Sequence, residues 1–163
     1  MEYQHIIHPF EALYDEDSRI LVLGSFPSVK SREQKFFYGH PQNRFWQVTA
    51  AVFEDDVPET IERKKQFLHR HHVAVWDVID SCDIKGSSDS SIKNAVPTDL
   101  QKIIRNSRVS AVFCNGKTSG RMYEKYHEPV LKMKAQILPS TSPANAAWTL
   151  ERLIEVWRKI RQV

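Results

Sequence analysis

Short apolar runs alternate along this chain with segments whose apolar residues recur at helical spacing, and the alternation sets the expected elements. RILVLG, residues 19–24, is a compact apolar run ending at Gly24, which predicts a buried strand. From Asn43 to Phe53, Trp46, Ala50 and Phe53 recur at helical spacing with Phe45, Thr49 and Val52 beside them, so a helix is expected. A second helix is expected from Pro58, a favoured first-turn residue, to His69, where the basic end HRHH suits the negative pole of a helix. VAVWDVI, residues 73–79, predicts the second strand, with the polar run DSCDIKGSSDSS after it as a loop. Thr98 and Gln101 stand at capping-box spacing and predict a helix through Asn106. VSAVFCNG is then a third strand, GKTSGRMYEKYH a helix and AQILPS a fourth strand. The segment from Ser142 to Arg161 opens with Ser then Pro and carries Ala147, Leu150, Ile154 and Trp157 on one stripe. That pattern predicts a helix capped by Ser142, with Pro143 at its first position and an anion-attracting N-terminus.

Strands alternating with helices imply right-handed crossovers. The expected architecture is a three-layer α/β fold, with a small four-stranded, mostly parallel sheet and helices on both faces. No internal repeat, low-complexity segment or linker interrupts the chain, so residues 1–163 are expected to form a single domain. In such sheets ligands bind beyond the carboxyl ends of the strands. The four exits here read GSFPS, WDVID, CNGK and LPSTSPAN, all rich in small, hydroxyl or amide residues. Between the first exit and the following helix lies FFYGHPQNRFW, residues 36–46, an oddly aromatic loop with a His-Pro pair, an Asn and an Arg. One cleft could collect them all.

Composition narrows the class without naming it. Apolar residues at 41% and charged residues at 26% suit a globular chain that buries a core unaided. A net charge of +3 permits a polyanionic partner but does not demand one. Cys82 and Cys114 have neither the number nor the spacing of a disulfide framework or a zinc site, and are expected to be reduced thiols. The N-terminus MEYQHIIHPF carries no basic, apolar signal and no run of about 18 apolar residues occurs, so a soluble, cytoplasmic monomer is expected. No Cys, Asp or Glu completes a metal set with His69, His71 and His72, and no GxSxG elbow exists for serine-hydrolase chemistry. Neither a metal nor a redox cofactor is expected.

Each exit also has an ordinary structural role open to it. GSFPS lacks the spacing of a phosphate-binding loop, and one glycine after a strand can be only a turn. Asp77, inside an apolar strand, must find partners: it caps a neighbouring loop or faces a cleft. Lys117 can sit in water on a simple strand-to-helix turn. Asn43 can cap the helix it precedes, and Asn145 can pair with helix backbone.

RILVLGSFPS, YGHPQNRFWQV, AVFCNGKTSGRMYEKY and LPSTSPAN, in this order, resemble the uracil-DNA glycosylase superfamily over roughly residues 19–150. HPQNRFW and FCNGK are similar to its mismatch-specific branch. Two departures narrow the resemblance. Phe26 stands where most of the superfamily places a water-positioning Asp or Asn, and Leu138 opens the fourth motif in place of His or Asn. GSFPS, HPQNRFW, WDVIDSC and LPSTSPANA together look like the hypoxanthine-DNA glycosylase branch, whose catalytic candidate is an Asn of the second motif, here Asn43.

That resemblance implies a monofunctional enzyme acting on double-stranded DNA, flipping out a deaminated base and hydrolysing its glycosidic bond. An amide cannot act as a base near neutral pH, but its carbonyl can accept a hydrogen bond and orient water. The remaining roles follow by resemblance. Gly24, Ser25 and Phe26 would bind the base, with backbone N–H donors around Ser25 and Phe26 meeting it as it departs, Tyr38 would stack beneath it, and Asp77 would read its polar edge. Ser28, His40, Lys117, Ser140 and Ser142 would hold DNA, and Ala144 and Asn145 would form the wedge entering the vacated stack. Two alternatives stand beside this reading: a uracil or mismatched-thymine glycosylase using the same pocket, and a catalytically silent nucleic-acid-binding module.

Overall fold

The computed structural model describes residues 2–163. Its elements run β1 (Gln4–Ile7), β2 (Ile20–Gly24), α1 (Val29–Gln34), α2 (Phe45–Val52), α3 (Ile61–Arg70), β3 (Val73–Asp77), β4 (Ile79–Ile84) and β5 (Lys93–Pro97). They continue with α4 (Gln101–Arg105), β6 (Ala111–Asn115), α5 (Lys117–Tyr126), α6 (Glu128–Leu131), β7 (Ala135–Leu138) and α7 (Leu150–Trp157).

The four expected strands pair in the order β3-β2-β6-β7, every pair parallel. β2 and β3 are buried along their whole length, as continuous apolar runs at the middle of a covered sheet must be. Helix α3 packs on β3, α5 lies against β6 and β7, and α2 packs on α7, so the sheet is flanked by helices as the alternation predicted. At the centre of that packing Phe45 meets Trp157 edge to face with centroids 5.9 Å apart, both rings fully buried.

Several boundaries depart from the pattern for identifiable reasons. Helix α3 begins at Ile61, not at Pro58, because the Thr60 hydroxyl caps it by accepting from Arg63 N at 3.1 Å. Thr98 does not cap α4: its hydroxyl donates to the Asp77 and Val78 carbonyls at 2.8 and 3.1 Å. Ser142 and Pro143 do not open the last helix either. Thr149 caps α7, and the Ser142 hydroxyl accepts from Ala144 N at 3.2 Å within a turn. Residues 142–148 are turns, so the anion-attracting helix terminus expected there does not exist and Ala147 falls outside the helical stripe. Helix α1, absent from the expectation, follows GSFPS directly, capped by Ser28.

A second sheet was also not anticipated. β1, β4 and β5 pair antiparallel, and β4 occupies much of DSCDIKGSSDSS, the run expected to be a loop. The chain passes from one sheet to the other at Val78, whose N–H donates to the Gly24 carbonyl at 2.8 Å and whose own carbonyl accepts from His127 Nε2 at 2.9 Å. His8, just beyond β1, is brought in this way against the end of β3.

Candidate active site

The exits of β2, β3, β6 and β7 do meet in one cleft of about 160 Å³. Its walls include Gly24 to Ser28, Tyr38, His40, Asn43 and Asp77. Asn115, Ser140, Thr141 and Ser142 close the other side, and Asp89 enters from the loop between β4 and β5.

FFYGHPQNRFW is held by a β-turn over His40 to Asn43, closed by Asn43 N donating to the His40 carbonyl at 2.9 Å, with Pro41 fixing its bend. Asn43 therefore stands one residue ahead of Arg44, the N-cap of α2, and is not itself the N-cap; its Oδ1 accepts from Phe45 N at 2.9 Å, which satisfies the first N–H of the helix. The same oxygen accepts from the Thr141 hydroxyl at 2.9 Å. Thr141 is in turn gripped by Asn115, which accepts from its N–H at 3.0 Å and donates Nδ2 to its hydroxyl oxygen at 2.9 Å. With both lone pairs of Oδ1 engaged, the free end of the Asn43 amide is Nδ2. Arg44 completes the tie between this stretch and LPSTSPAN. Its N–H donates to the Thr141 carbonyl at 3.0 Å, and its guanidinium donates to the carbonyls of Asn145, at 3.1 Å, and Trp148.

Tyr38 takes a left-handed backbone, φ 51°. Its ring stacks on Phe45 with centroids 4.0 Å apart and planes 13° from parallel, and Phe45 is wholly buried. One face of the Tyr38 ring is thus backed by core while the residue lines the cleft. Its hydroxyl is buried with no protein partner, and burial, then the Asp77 charge, hold the phenol well above its ordinary pKa, so it remains an O–H donor.

Asp77, 4% exposed, accepts at Oδ2 from His8 Nε2 at 2.7 Å. Its other oxygen lies close against Gly24: a Cβ on that glycine would stand 2.4 Å from Oδ1. On the β2 exit, the N–H groups of Ser25 and Phe26 donate to no acceptor among the described residues. The Phe26 side chain is 7% exposed and faces the His8 ring at 5.8 Å, which leaves it nothing with which to hold water.

Of the DNA-facing candidates, Ser28, His40, Ser140 and Ser142 line the cleft. Ser28 is engaged as a helix cap and Ser140 Oγ accepts from Ser142 N at 3.1 Å. Lys117, Ala144 and Asn145 do not line it. Lys117 is exposed at the start of α5, after Gly116, which takes φ +100° where a Cβ would crowd Ser140. Ala144 is exposed on a turn, and Asn145 Nδ2 donates to the Ser140 carbonyl at 3.0 Å, a loop backbone group where pairing with helix backbone was the alternative. Of the histidine run, His71 shares Asp55 with Arg70, and these two hydrogen bonds hold that carboxyl below the usual carboxylate range. Sequence reasoning missed Thr141, Asn115, Arg44, His8 and Asp89. The first three sit inside motifs already singled out, whereas His8 and Asp89 carry no local signal.

The four exits of a parallel sheet thus enclose a core-backed aromatic ring, a fixed amide and unpaired backbone donors in one cleft. The chain belongs to the uracil DNA glycosylase superfamily, whose family model matches residues 11–161. It is 30% identical over 156 residues to a hypoxanthine DNA glycosylase of Methanosarcina acetivorans, covering 93% of this chain and 95% of that one. It is also 30% identical over 142 residues to a hypoxanthine DNA glycosylase of Methanosarcina barkeri, covering 83% and 86%. The solution NMR structure of a uracil DNA glycosylase candidate from Methanosarcina acetivorans superposes with a TM-score of 0.79 at 27% identity, over 96% of this chain and 99% of that one. The family is one of hydrolytic DNA glycosylases, acting in DNA repair. Among the described residues no helix is long and apolar enough to cross a membrane.

Proposed function

We propose that this protein is a monofunctional DNA glycosylase that hydrolyses the glycosidic bond of a deaminated base flipped out of duplex DNA, hypoxanthine foremost. The observation that carries the reading is the fixed amide of Asn43 in the same cleft as the Tyr38 ring, Asp77 and the free N–H groups of Ser25 and Phe26. The names of the two Methanosarcina relatives support hypoxanthine as the base.

In this reading the base enters the cleft over Tyr38, whose ring supplies stacking that any base can use. Asp77 accepts an N–H from the polar edge of the base. As the bond to the sugar lengthens, negative charge moves onto the base and positive charge onto the sugar. The Ser25 and Phe26 N–H groups meet the first, already oriented, at no cost in reorganisation. Water needs placement more than deprotonation, because the sugar carbon is strongly electrophilic by then. Asn43 provides placement through Nδ2, with Oδ1 occupied: the amide donates to one lone pair of the water, and the water's second lone pair faces the sugar carbon. This revises the expectation that the carbonyl would hold the water.

The test is to incubate the protein with duplexes bearing one deoxyinosine, one deoxyuridine or one G·T mismatch, then cleave abasic sites with alkali. Scission at deoxyinosine supports the proposal, scission only at uracil or mismatched thymine replaces it with the pyrimidine reading, and binding without scission replaces it with a silent module. Tyr38→Ala is expected to lose about 1–3 kcal/mol of base stacking, roughly a 5- to 150-fold fall in single-turnover excision, with Tyr38→Phe losing far less. Equal losses in the two variants would refute stacking as the main role of Tyr38.

A further inference from the structure

Two carboxyl groups open onto the cleft, and their partners differ. Asp77 takes a ring N–H from His8. The other nitrogen of that ring, Nδ1, is buried without a partner, among the rings of Phe10, Phe26 and Trp76. A proton on Nδ1 would be an unpaired donor in an apolar cage, so the ring keeps its one proton on Nε2 and gives it to Asp77. Asp77 is thereby fixed as an acceptor.

Asp89 has no such donor. It sits on a short 3₁₀ turn, Asp89–Ser91, between β4 and β5. Residue 89 as a whole is exposed, but its carboxyl turns into the cleft, where Oδ1 accepts from the Ser25 hydroxyl at 2.8 Å. That leaves Oδ2 without a hydrogen bond from the protein.

We propose that Asp89 is the general acid of this site, donating a proton from Oδ2 to a ring nitrogen of a purine as it leaves. The proposal rests on the hypoxanthine reading and deepens it. When the bond between the sugar carbon and N9 breaks, the bonding pair passes into the purine ring. A proton delivered to N7 at that moment lets the base depart neutral, and Asp89 becomes a carboxylate. The water that adds to the sugar carbon releases one proton, which restores Asp89 through solvent, so one water is consumed and one base released. Uracil has no N7 lone pair and departs as an anion on backbone donors alone. Asp89 would therefore separate purine from pyrimidine chemistry in one cleft.

The groups facing Asp89 set its working range. Burial holds its carboxyl above the usual carboxylate range, the Ser25 hydrogen bond opposes this, the Asp77 charge adds to it, and Arg121 on α5 opposes it. Cys82, the thiol that senses Asp89 from β4, is pushed up to about 11 by burial and stays neutral. A general acid acts in its protonated form, so its contribution is present below its pKa and is lost as pH rises through that raised value.

The test compares the unaltered protein with Asp89→Asn, which keeps an oxygen to accept from Ser25 but has no proton to give. Single-turnover excision is measured between about pH 5 and pH 9 on duplexes carrying deoxyinosine or 7-deaza-deoxyinosine, which lacks N7. With deoxyinosine, the unaltered protein is expected to slow as pH rises, and Asp89→Asn to lose about 10²-fold or more at low pH and to flatten that limb, with duplex binding and thermal midpoint unchanged. With the 7-deaza base, the unaltered protein is expected to be slow and Asp89→Asn to cost nothing more. An unchanged rate and pH limb, or an equal loss on both bases, would overturn the proposal and leave Asp89 as a loop anchor. If the unaltered protein excises no deoxyinosine at all, the hypoxanthine reading fails first and takes this step with it.

Discussion

Asn43→Ala is expected to lower single-turnover excision by about 10²–10³-fold, the usual cost of losing a fixed, positioning donor in a catalytic site. Duplex binding should be kept, because Ser28, His40, Ser140 and Ser142, the cleft residues proposed to hold DNA, are untouched. Stability should fall by about 1 kcal/mol, since the variant loses the acceptor of the Phe45 N–H and leaves the Thr141 hydroxyl to find another. Asn43→Asp decides how the residue works. Its carboxylate preserves both acceptor bonds, to Phe45 N and to Thr141, and removes only the Nδ2 donor. If water is held through Nδ2, Asn43→Asp should lose nearly as much activity as Asn43→Ala while recovering its stability. Near-full excision by Asn43→Asp would return the role to the oxygen, and full excision by Asn43→Ala would reduce the residue to an acceptor for Phe45 N and Thr141.

How far these roles could be read in advance depended on whether the relevant contact is local. Apolar runs such as RILVLG and VAVWDVI announced β2 and β3 because a central parallel strand is buried on both faces and needs no polar alternation, although β3 ends at Asp77 and Ile79 already opens β4. Asp77 could be nominated because it lies at a strand exit, where position along the chain already implies position at the cleft, whereas Tyr38 and Asn43, on the loop between α1 and α2, were nominated through the resemblance of HPQNRFW and its flank. Thr60 and Thr149 were harder to prefer over Pro58 and Ser142–Pro143, since several residues in each stretch could cap and only tertiary packing chooses among them. The antiparallel sheet was hidden for another reason. β4, with its Ser, Cys and Asp residues, lacks the apolar run of a doubly covered strand, and it is completed by β1 from the far end of the chain.

That second sheet is also where the chemistry least visible in the sequence resides. His8 reaches Asp77 across 69 positions, and Asp89 reaches Ser25 across 64. Neither contact has a spacing rule, yet each gives one of the two carboxyls its character. The β2 exit supplies the backbone donors and the loop between α1 and α2 the Tyr38 ring and the Asn43 amide; the second sheet supplies His8, just beyond β1, and the loop that carries Asp89. An account built on the strand exits alone would leave Asp77 with an unexplained buried charge.

Gly24→Ala should expose that dependence with the smallest possible change. The added Cβ would stand 2.4 Å from Asp77 Oδ1 and 3.5 Å from the Tyr38 hydroxyl, so the first contact cannot persist. Asp77 has little room to yield, because its Oδ2 is held by His8 and both residues are buried. Backbone φ is not the difficulty at Gly24; the close approach of the carboxylate is. Relief must come from breaking the His8 pair or from shifting β2 against β3, and either is expected to cost about 1–3 kcal/mol in urea unfolding. Excision of deoxyinosine should fall by about 10²-fold, since a misplacement of about 1 Å at a positioning group costs that much. Pairing the change with Asp77→Ala gives the control. The clash disappears in the double variant, so the two stability losses should sum to more than the double variant shows, by at least about 0.5 kcal/mol. Strict additivity would mean that the Cβ is accommodated elsewhere, and undiminished excision by Gly24→Ala would remove Asp77 from contact with the base.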